Sequence, residues 1–350
     1  MNEKFEARFG SSRARDGSPA IHQHLMEAAF KIITNPSTIS AATRCVENAK
    51  TPIRRDVFAA AWHELLKRYL LRTPTASRAI AHLDGLGARV HNDHIALRSF
   101  VDSGGHSGLA YLDQVFTAFG YAAQDDIVIP SLPVNARWYE PPAETDWPKV
   151  FVSELRTGEL PAEAAKIVFS HVDGFYGGRG VPSLRDALAA ASGAPLADLL
   201  DEPPWRPTAA EVAAVRGADG GDAALRGATE YASWTLTHGH RINHLTILHN
   251  ALGLEAAVPT LASLNARMIA DLGFEFNKAG GSDGLTQGSV ASRLEQSSTV
   301  ADHVDVTFGC GKEERLPCAF LELIQRHDGF RGFLGQNAKG IFASTHAGRS

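Results

Sequence analysis

A single carboxylate, Glu322, lies in the middle of the segment 316–326, which is otherwise apolar and has the pattern of a buried β-strand. An unpaired carboxylate loses its hydration on burial, so it needs either a counter-charge or a metal ion. The purely structural alternative is an ion pair with Arg326 at the end of the same segment. Which partner Glu322 has decides what chemistry the protein can perform.

Two histidines occur in similar surroundings elsewhere in the chain. His94 lies near the start of the strand-like segment 92–98, and His244 lies in the comparable segment 241–248. Two histidines and one carboxylate from three strands can form a facial triad, which holds a metal ion and leaves positions open for substrate and oxygen. Open positions are typical of catalytic metal sites. His94, His244 and Glu322 are therefore the predicted metal ligands.

The choice of the second histidine stays open on spacing alone. Four histidines crowd one region, and three of them share strand parity if the strand starts early: His238, His240 and His244, with His249 beyond them. Only His244 lies inside the apolar segment, as His94 does in its own segment. His238 and His240 are expected at the mouth of the site or on the surface.

Arg98 is the predicted substrate-binding residue. It shares a strand face with His94 because side chains alternate along a strand. The Cα atoms of the two residues are then about 13 Å apart, which leaves room for a small carboxylic acid between a metal ion and the guanidinium. Arginine suits this role because its planar fork binds carboxylates bidentately. The alternative is a purely structural role for both residues, with His94 as a hydrogen-bonded core histidine and Arg98 paired with a surface acid.

Three further side chains are candidates for the site. The segment 294–302 is polar but able to form a strand, and it can direct Gln296 or Ser298 into a pocket. Glu154 is interpreted as the counterpart of Glu322 in the first half of the chain. It would act either as a fourth ligand or in a structural hydrogen bond.

The elements that carry these residues repeat along the chain. Each half opens with a histidine strand, continues through a helix that ends at a glycine between apolar residues, and closes with a glutamate strand. The opening strand and helix are predicted at 91–100 and 107–119 in the first half, and at 241–248 and 255–271 in the second. We predict an α+β fold built on an internal β-α-β-β-β duplication.

The remainder of the chain is predicted to be helical. Helices at 54–71 and 74–83 have apolar residues at helical spacing, and the pairs Thr51-Pro52 and Thr73-Pro74 suit their first turns, with the threonine hydroxyl as cap. The predicted organisation is a loose N-terminus (1–20), a helical region (21–90), a first module (91–156), a helical insertion (157–238), a second module (239–328) and a C-terminal closing segment (329–350).

Composition argues against several classes of protein. The 350 residues carry a formal net charge of −5, which gives no sign of the basic surface that binds nucleic acid. Three cysteines, Cys45, Cys310 and Cys318, have neither the even count of a disulfide framework nor a C-x-x-C zinc spacing. No apolar stretch reaches the roughly 18 residues of a membrane span, and the first residues lack a signal-like segment. A cytoplasmic protein without a membrane or nucleic-acid partner is expected.

The residues also resemble known families. The segment 320–326, followed by 332–342, resembles the C-terminal signature of 4-hydroxyphenylpyruvate dioxygenase, in which the glutamate binds iron and a following helix closes the site. A closer similarity, to the 2-oxoadipate dioxygenase/decarboxylase family, also called hydroxyglutarate synthase, extends over most of the chain. It rests on residues 69–76, 92–100, 135–138, 231–234, 243–246 and 296–302.

This resemblance implies a vicinal-oxygen-chelate fold, in which two β-α-β-β-β modules curl around a metal ion. It implies the metal ligands His94, His244 and Glu322 and the substrate-carboxylate ligand Arg98. It also implies an Fe(II) cofactor and a 2-oxo acid substrate, 2-oxoadipate, which reacts with O₂ to give 2-hydroxyglutarate and CO₂. The competing hypotheses are a non-redox metalloenzyme of the same fold, such as an isomerase or hydrolase, and a metal-free small-molecule-binding protein.

Overall fold

The computed structural model describes residues 19–34, 54–130, 132–278, 283–337 and 343–345. Most of the expected loose N-terminus, the capping pair Thr51-Pro52 and Cys45 lie outside these residues, as does part of the closing segment. Among the described residues, no helix is both long enough and apolar enough to cross a membrane.

The region before the first module consists of three helices: α1 (Pro19–Ile33), α2 (Arg55–Arg72) and α3 (Pro74–Gly85). In α2 the apolar residues at helical spacing are buried, from Val57 to Leu70, so the helix packs through a wide face. Pro74 opens α3 as predicted, but the Thr73 hydroxyl makes no capping hydrogen bond. That part of the prediction is wrong, because the ψ of Thr73 is 72°, outside the extended conformation of a capping residue.

The first module follows the predicted order of elements. Its strand β1 precedes one helix and three more strands: β1 (Asn92–Phe100), α4 (Gly108–Ala118), β2 (Ala122–Ile129), β3 (Val134–Glu140) and β4 (Lys149–Leu155). After α4 the chain turns through Gly120, whose φ of 86° is left-handed. Glycine adopts this conformation without strain, which explains its place at the helix end.

Helices fill the segment between the two modules. They are α5 (Ala162–Val172), α6 (Gly180–Ala189), α7 (Ala194–Asp201), α8 (Ala209–Gly217) and α9 (Ala223–His238), with a short π-helix at Phe175–Arg179 before α6. In α8 the Thr208 hydroxyl and the Glu211 side chain form a capping box, which satisfies backbone N–H groups of the first turn.

The second module repeats the first with one additional strand. Its elements are β5 (His244–Leu248), α10 (Leu261–Leu272), β6 (Gln287–Ser289), β7 (Leu294–Ser298), β8 (Asp302–Thr307) and β9 (Glu313–Arg326). β5 begins later than the predicted residue 241, and α10 begins later than the predicted residue 255. The start of α10 is set by a capping box between Thr260 and Ser263, a local signal that the apolar spacing does not contain.

One sheet joins the two modules. Its strand order is β2-β3-β4-β1-β5-β9-β7-β6, and β8 pairs with β9 beside this path. β1 and β5 are antiparallel neighbours at the centre, and each has a parallel partner on its other side, β4 for β1 and β9 for β5. The two halves of the sheet are therefore related by an approximate twofold axis between β1 and β5. The boundaries of the two modules stay a prediction.

The two faces of the sheet have different surroundings. On β1, Ile95 and Leu97 belong to the main hydrophobic core, whereas Ala96 belongs to a small separate cluster with Trp138 and Phe151. Because side chains alternate along a strand, His94 and Arg98 lie on the same face as Ala96. This second face carries the candidate site, and the opposite face packs on the core.

Candidate metal centre

Strand register brings His94, His244 and Glu322 together. On the neighbouring strands β1, β5 and β9, Thr246 is paired with His94 on one side and with Glu322 on the other. The Glu322 Oε2 atom lies 3.0 Å from His94 Nε2 and 3.2 Å from His244 Nε2. All three side chains are buried, and their potential ligand atoms lie within 4.8 Å of one another.

The His94 ring is oriented by the residue before it. Its Nδ1 lies 2.9 Å from Asp93 Oδ1, and because a carboxylate only accepts, Nδ1–H donates this hydrogen bond. When the ring is neutral, Nε2 is the nitrogen left for a metal ion, and it faces Glu322. Burial alone would raise the pKa of Asp93, but Arg326 and His94 hold it well below its usual value. Asp93 is therefore an anion at neutral pH.

The His244 ring is oriented in the same way by a neutral group. Its Nδ1 lies 2.6 Å from Asn243 Oδ1. Asn243 Nδ2 donates to the Ala96 carbonyl at 3.1 Å, which fixes the amide so that its oxygen faces the ring. His244 therefore donates through Nδ1 and, like His94, directs Nε2 toward Glu322.

Glu322 is held in place by two neutral donors. The Thr246 hydroxyl donates to Oε2 at 2.8 Å, and Gln296 Nε2 donates to Oε1 at 3.0 Å. Burial would raise the pKa of Glu322, but the two histidines oppose this effect and lower the pKa below its usual value. The side chain is therefore a carboxylate rather than a neutral acid.

This set of donors fits a divalent transition metal ion. Two imidazole nitrogens and one carboxylate oxygen are the ligands of the facial triad of non-haem Fe(II) enzymes. Each imidazole also donates its other nitrogen to a neighbouring oxygen, which is the usual arrangement around metal-bound histidines. The structure thus supports metal binding at the three predicted residues, and the donors do not identify the metal.

A pocket opens beside the triad. Three large apolar side chains, Phe151, Phe333 and Leu334, form much of its wall, and the Phe333 ring packs edge-on against His94 with centroids 4.7 Å apart. Its other lining residues are Ala96, Ser153, Asn243, Gln296 and the triad itself. A pocket of this kind suits a small molecule with both polar and methylene groups.

Arg98 lies on the site face of β1, as predicted, and is 1% exposed. Its guanidinium packs over the rings of Tyr231 and Trp234, at 5.1 and 4.6 Å from their centroids, and donates to Thr345 Oγ1 at 3.1 Å. Burial lowers the pKa of Arg98 to about 10. The side chain therefore remains a buried cation at neutral pH.

The structure gives Gln296 and Ser298 different places. Gln296 lines the pocket and contacts Glu322 directly. Ser298 Oγ lies 2.6 Å from Ser344 Oγ, so this residue fixes the short helix Ala343–Thr345, which carries the Thr345 hydroxyl bound to Arg98.

Glu154 lies on the opposite face of the sheet. It is paired with Ser99, which alternates with Arg98, so its side chain points away from the triad. Its carboxylate accepts from Ser107 Oγ at 2.5 Å and from Leu109 N at 3.2 Å, at the start of α4. The residue of β4 that corresponds in register to Glu322 is Lys149, because His94 pairs with Lys149 as Thr246 pairs with Glu322. The interpretation of Glu154 as the counterpart of Glu322 is therefore wrong, and the hydrogen-bonding alternative describes it.

The other histidines near β5 face different partners. The expected place of His238 and His240 at the mouth or surface is wrong, because both are buried. His240 lies among aromatic rings, 3.1 Å from the Tyr176 hydroxyl. Burial lowers its pKa to about 3. His238 and His249 donate to the carbonyls of Pro317 and Val258. Of the four candidates, only His244 contacts Glu322.

The alternative partner of Glu322 is also corrected. Arg326 forms its ion pair with Asp93 instead, through two hydrogen bonds of 2.7 and 2.8 Å. It could not have been assigned to Asp93 from spacing, because the two residues are 233 positions apart.

Sequence reasoning missed the residues that orient the triad. Both histidines follow a side chain with an oxygen acceptor, in Asp93-His94 and Asn243-His244. This repeated pair was the available signal. Thr246 and Phe333 carried no such signal, because their contacts with the triad arise from strand pairing and from the return of the chain after β9.

Comparison with known sequences gives a consistent picture. The family model of the 2-oxoadipate dioxygenase/decarboxylases matches residues 63–328. The chloroplastic/amyloplastic 2-oxoadipate dioxygenase/decarboxylase of Oryza sativa subsp. japonica is 29% identical over 308 residues, which span 80% of this chain and 76% of the rice protein.

Solved structures agree with this match. The crystal structure of the hydroxyglutarate synthase of Oryza sativa, in complex with 2-oxoadipate, is 27% identical with a TM-score of 0.65, over 88% of this chain and 98% of that one. A putative glyoxalase superfamily protein from Ralstonia eutropha JMP134 has a TM-score of 0.63 at 19% identity, over 95% and 99% of the two chains. The latter likeness concerns the fold alone, and the predicted α+β fold of the vicinal-oxygen-chelate type is confirmed.

Proposed function

The chain belongs to the 2-oxoadipate dioxygenase/decarboxylase family, and from this premise we propose that it converts 2-oxoadipate to 2-hydroxyglutarate at an Fe(II) ion held by His94, His244 and Glu322. One O₂ is consumed and one CO₂ is released. The carbon released is the carboxylate next to the keto group, and both oxygen atoms of O₂ enter the product, one in its new carboxylate and one in its hydroxyl.

The observation that carries the proposal is the oriented, buried triad. Both Nε2 atoms and the carboxylate converge from three adjacent strands, and a pocket opens beside them. Fe(II), when bound there, would supply positions for the oxo acid and O₂ together with the electrons that activate O₂. The chain itself supplies the donors and the hydrogen bonds that fix them.

The surrounding residues have complementary roles in binding substrate. Arg98, a buried cation on the same face as His94, would bind a carboxylate of the substrate and so determine which carbon faces the metal. The apolar walls formed by Phe151, Phe333 and Leu334 would pack against the methylene chain and exclude water. Gln296 would hold Glu322 in its ionised, metal-binding orientation.

Oxygen consumption tests the proposed reaction. The protein is loaded with Fe(II) under anaerobic conditions and mixed with O₂ and a panel of 2-oxo mono- and dicarboxylates. We expect stoichiometric O₂ uptake and CO₂ release with 2-oxoadipate, and two labelled oxygens in 2-hydroxyglutarate when ¹⁸O₂ is used. No uptake with any oxo acid would overturn the proposal. Turnover without O₂ on Zn(II), Ni(II) or Mn(II) would instead support a non-redox metalloenzyme.

We also propose a cytoplasmic location. Cys310 and Cys318 are free thiols in the described structure, which agrees with a reducing compartment. The rice relative is chloroplastic/amyloplastic by name. Cell fractionation with an antibody against the protein tests this location, and recovery in an organelle or membrane fraction would contradict it.

A further inference from the structure

Arg326 is joined to His94 through Asp93. At the end of β9, its Nε donates to Asp93 Oδ2 at 2.8 Å and its Nη2 donates to Asp93 Oδ1 at 2.7 Å. The same Oδ1 atom accepts from His94 Nδ1 at 2.9 Å. The two side chains of the ion pair are 9% and 2% exposed. This is a bidentate, nearly dry ion pair whose acceptor also sets the rotation of a predicted metal ligand.

The third nitrogen of the same guanidinium holds the wall of the pocket. Arg326 Nη1 donates to the Gly332 carbonyl at 2.8 Å and approaches the Phe330 carbonyl at 3.5 Å. The Arg326 Cζ atom lies 5.2 Å from the centroid of the Phe333 ring, and that ring packs against His94. Arg326 therefore reaches the His94 imidazole by two routes, through Asp93 at Nδ1 and through Phe333 at the ring edge.

The backbone of Arg326 is fixed as firmly as its side chain. Asn250 donates to the Arg326 carbonyl at 2.9 Å and accepts from the Arg326 N–H at 2.8 Å. Because both ends of the residue are held, its guanidinium has little freedom to pair elsewhere, and Glu322 is left to face the two histidines.

We propose that Arg326 is a positioning residue of the metal centre, which aligns His94 through Asp93 and sets the pocket wall through Gly332 and Phe333. The inference rests on the proposed function, because it requires a metal on His94. A purely structural ion pair would affect the stability of the fold alone. A positioning role also affects metal affinity and the geometry of coordination, and it requires the planar fork, which lysine lacks.

Co(II) binding to the full chain distinguishes these roles. Metal-free wild-type protein, Arg326→Gln and Arg326→Lys are titrated anaerobically with CoCl₂, and the visible absorption bands report affinity and coordination geometry. We expect both variants to bind Co(II) about 10- to 100-fold more weakly, with shifted bands. The matched control is Arg331→Gln, because Arg331 lies five residues after Arg326 but is exposed and pairs with Glu140. It should bind Co(II) as wild type does.

A double variant protects the test against misfolding. Arg326→Gln removes the bidentate partner of the buried Asp93 and leaves Lys149 Nζ, 3.9 Å away, as its nearest lysine or arginine, which can prevent folding. Asp93→Asn with Arg326→Gln removes both charges, and its Co(II) affinity should fall by no more than the larger of the two single effects. Wild-type affinity and bands in a folded Arg326→Gln or double variant would overturn the inference alone. Wild-type protein that binds neither Co(II) nor Fe(II) would overturn the proposed function and the inference with it.

Discussion

The two histidines of the centre differ in the charge of the group that orients them. For His94, burial would lower the pKa, but Glu322 and the anionic Asp93 outweigh it and the pKa is raised. For His244, which bonds to the neutral amide of Asn243, burial dominates and the pKa is lowered. An anionic partner makes an imidazole a stronger donor to a metal. The two nitrogens are therefore not equivalent ligands.

Removal of any one ligand should abolish the metal centre. We expect His94→Ala, His244→Ala and Glu322→Ala each to bind less than stoichiometric Fe(II) and to retain less than about one hundredth of wild-type turnover, since loss of an orienting residue alone costs 10- to 100-fold. Metal analysis and oxygen uptake measure this. His303→Gln, an exposed histidine on β8, is the control. Full activity in His94→Ala would refute the assignment.

Replacement of Arg98 should change substrate selectivity. We expect Arg98→Met to lower kcat/KM for 2-oxoadipate about 10- to 100-fold through a higher KM, because a charge-assisted hydrogen bond contributes about 1.5 to 3 kcal/mol. The kcat/KM of Arg98→Lys should lie between those of wild type and Arg98→Met, since lysine keeps the charge but lacks the planar guanidinium. Steady-state kinetics with 2-oxohexanoate, which lacks the second carboxylate, provide the comparison. An equal loss on both substrates would contradict binding of that carboxylate by Arg98.

At the level of elements, alternation along a strand separates function from support. On β4, Ser153 and Phe151 line the pocket. Glu154, on the opposite face of the same strand, accepts hydrogen bonds from the start of α4 and so joins the strand to that helix. Neighbours in sequence thus belong to opposite faces of the sheet. A carboxylate near the centre of a strand is consequently insufficient to identify a ligand, and its face must be known.

Glu154→Ala tests this separation. We expect it to lower the free energy of unfolding by about 1 to 3 kcal/mol, because the Ser107 hydroxyl and the Leu109 N–H lose their buried acceptor. Urea denaturation measures the loss. The Co(II) affinity of the folded variant should equal that of wild type, and a weaker affinity would restore Glu154 as a candidate ligand.

In the whole molecule, the N-terminal helices α2 and α3 form hydrogen bonds with strands of the second module. The hydroxyl of Tyr69 on α2 donates to the Phe320 carbonyl and accepts from the Leu245 N–H at 3.2 Å, so it bridges β5 and β9 next to two ligand positions. Asp302 at the start of β8 accepts from the N–H and hydroxyl of Thr75 on α3, both at 3.0 Å. The helices thus hold together strands that converge on the candidate metal site.

The second of these contacts predicts a dependence of stability on pH. Burial raises the pKa of Asp302 to about 6, above the value of about 3.9 in an unfolded chain. Between these values the native state binds more protons than the unfolded state, so the free energy of unfolding contributed by this group falls as pH rises from about 4 to 6.

Asp302→Asn removes this titration. The unfolding free energy of the variant relative to wild type should increase between pH 4 and pH 7, by up to about 3 kcal/mol. Its melting temperature relative to wild type should rise with it. Calorimetry across this range measures the difference, with Asp305→Asn, an exposed acid on the same strand, as the control. A difference that does not change with pH would contradict the raised pKa.

The sequence by itself determined the residue types and the repeat. Strand periodicity identified Glu322 as a buried charge and placed His94, Ala96 and Arg98 on one face, and the recurrence of strand and helix patterns predicted the duplicated fold. These inferences succeed because apolar periodicity and the cost of burying a charge act locally, on residues close in the chain.

Only the tertiary structure decided which groups meet. The register of β1, β5 and β9 selected His244 from four histidines, turned Glu154 to the opposite face and paired Arg326 with Asp93 rather than Glu322. Such contacts depend on how distant strands align, and a shift of one residue reverses the face of every side chain. No spacing within a single segment encodes that alignment, so the metal centre and its supporting ion pair are properties of the folded sheet.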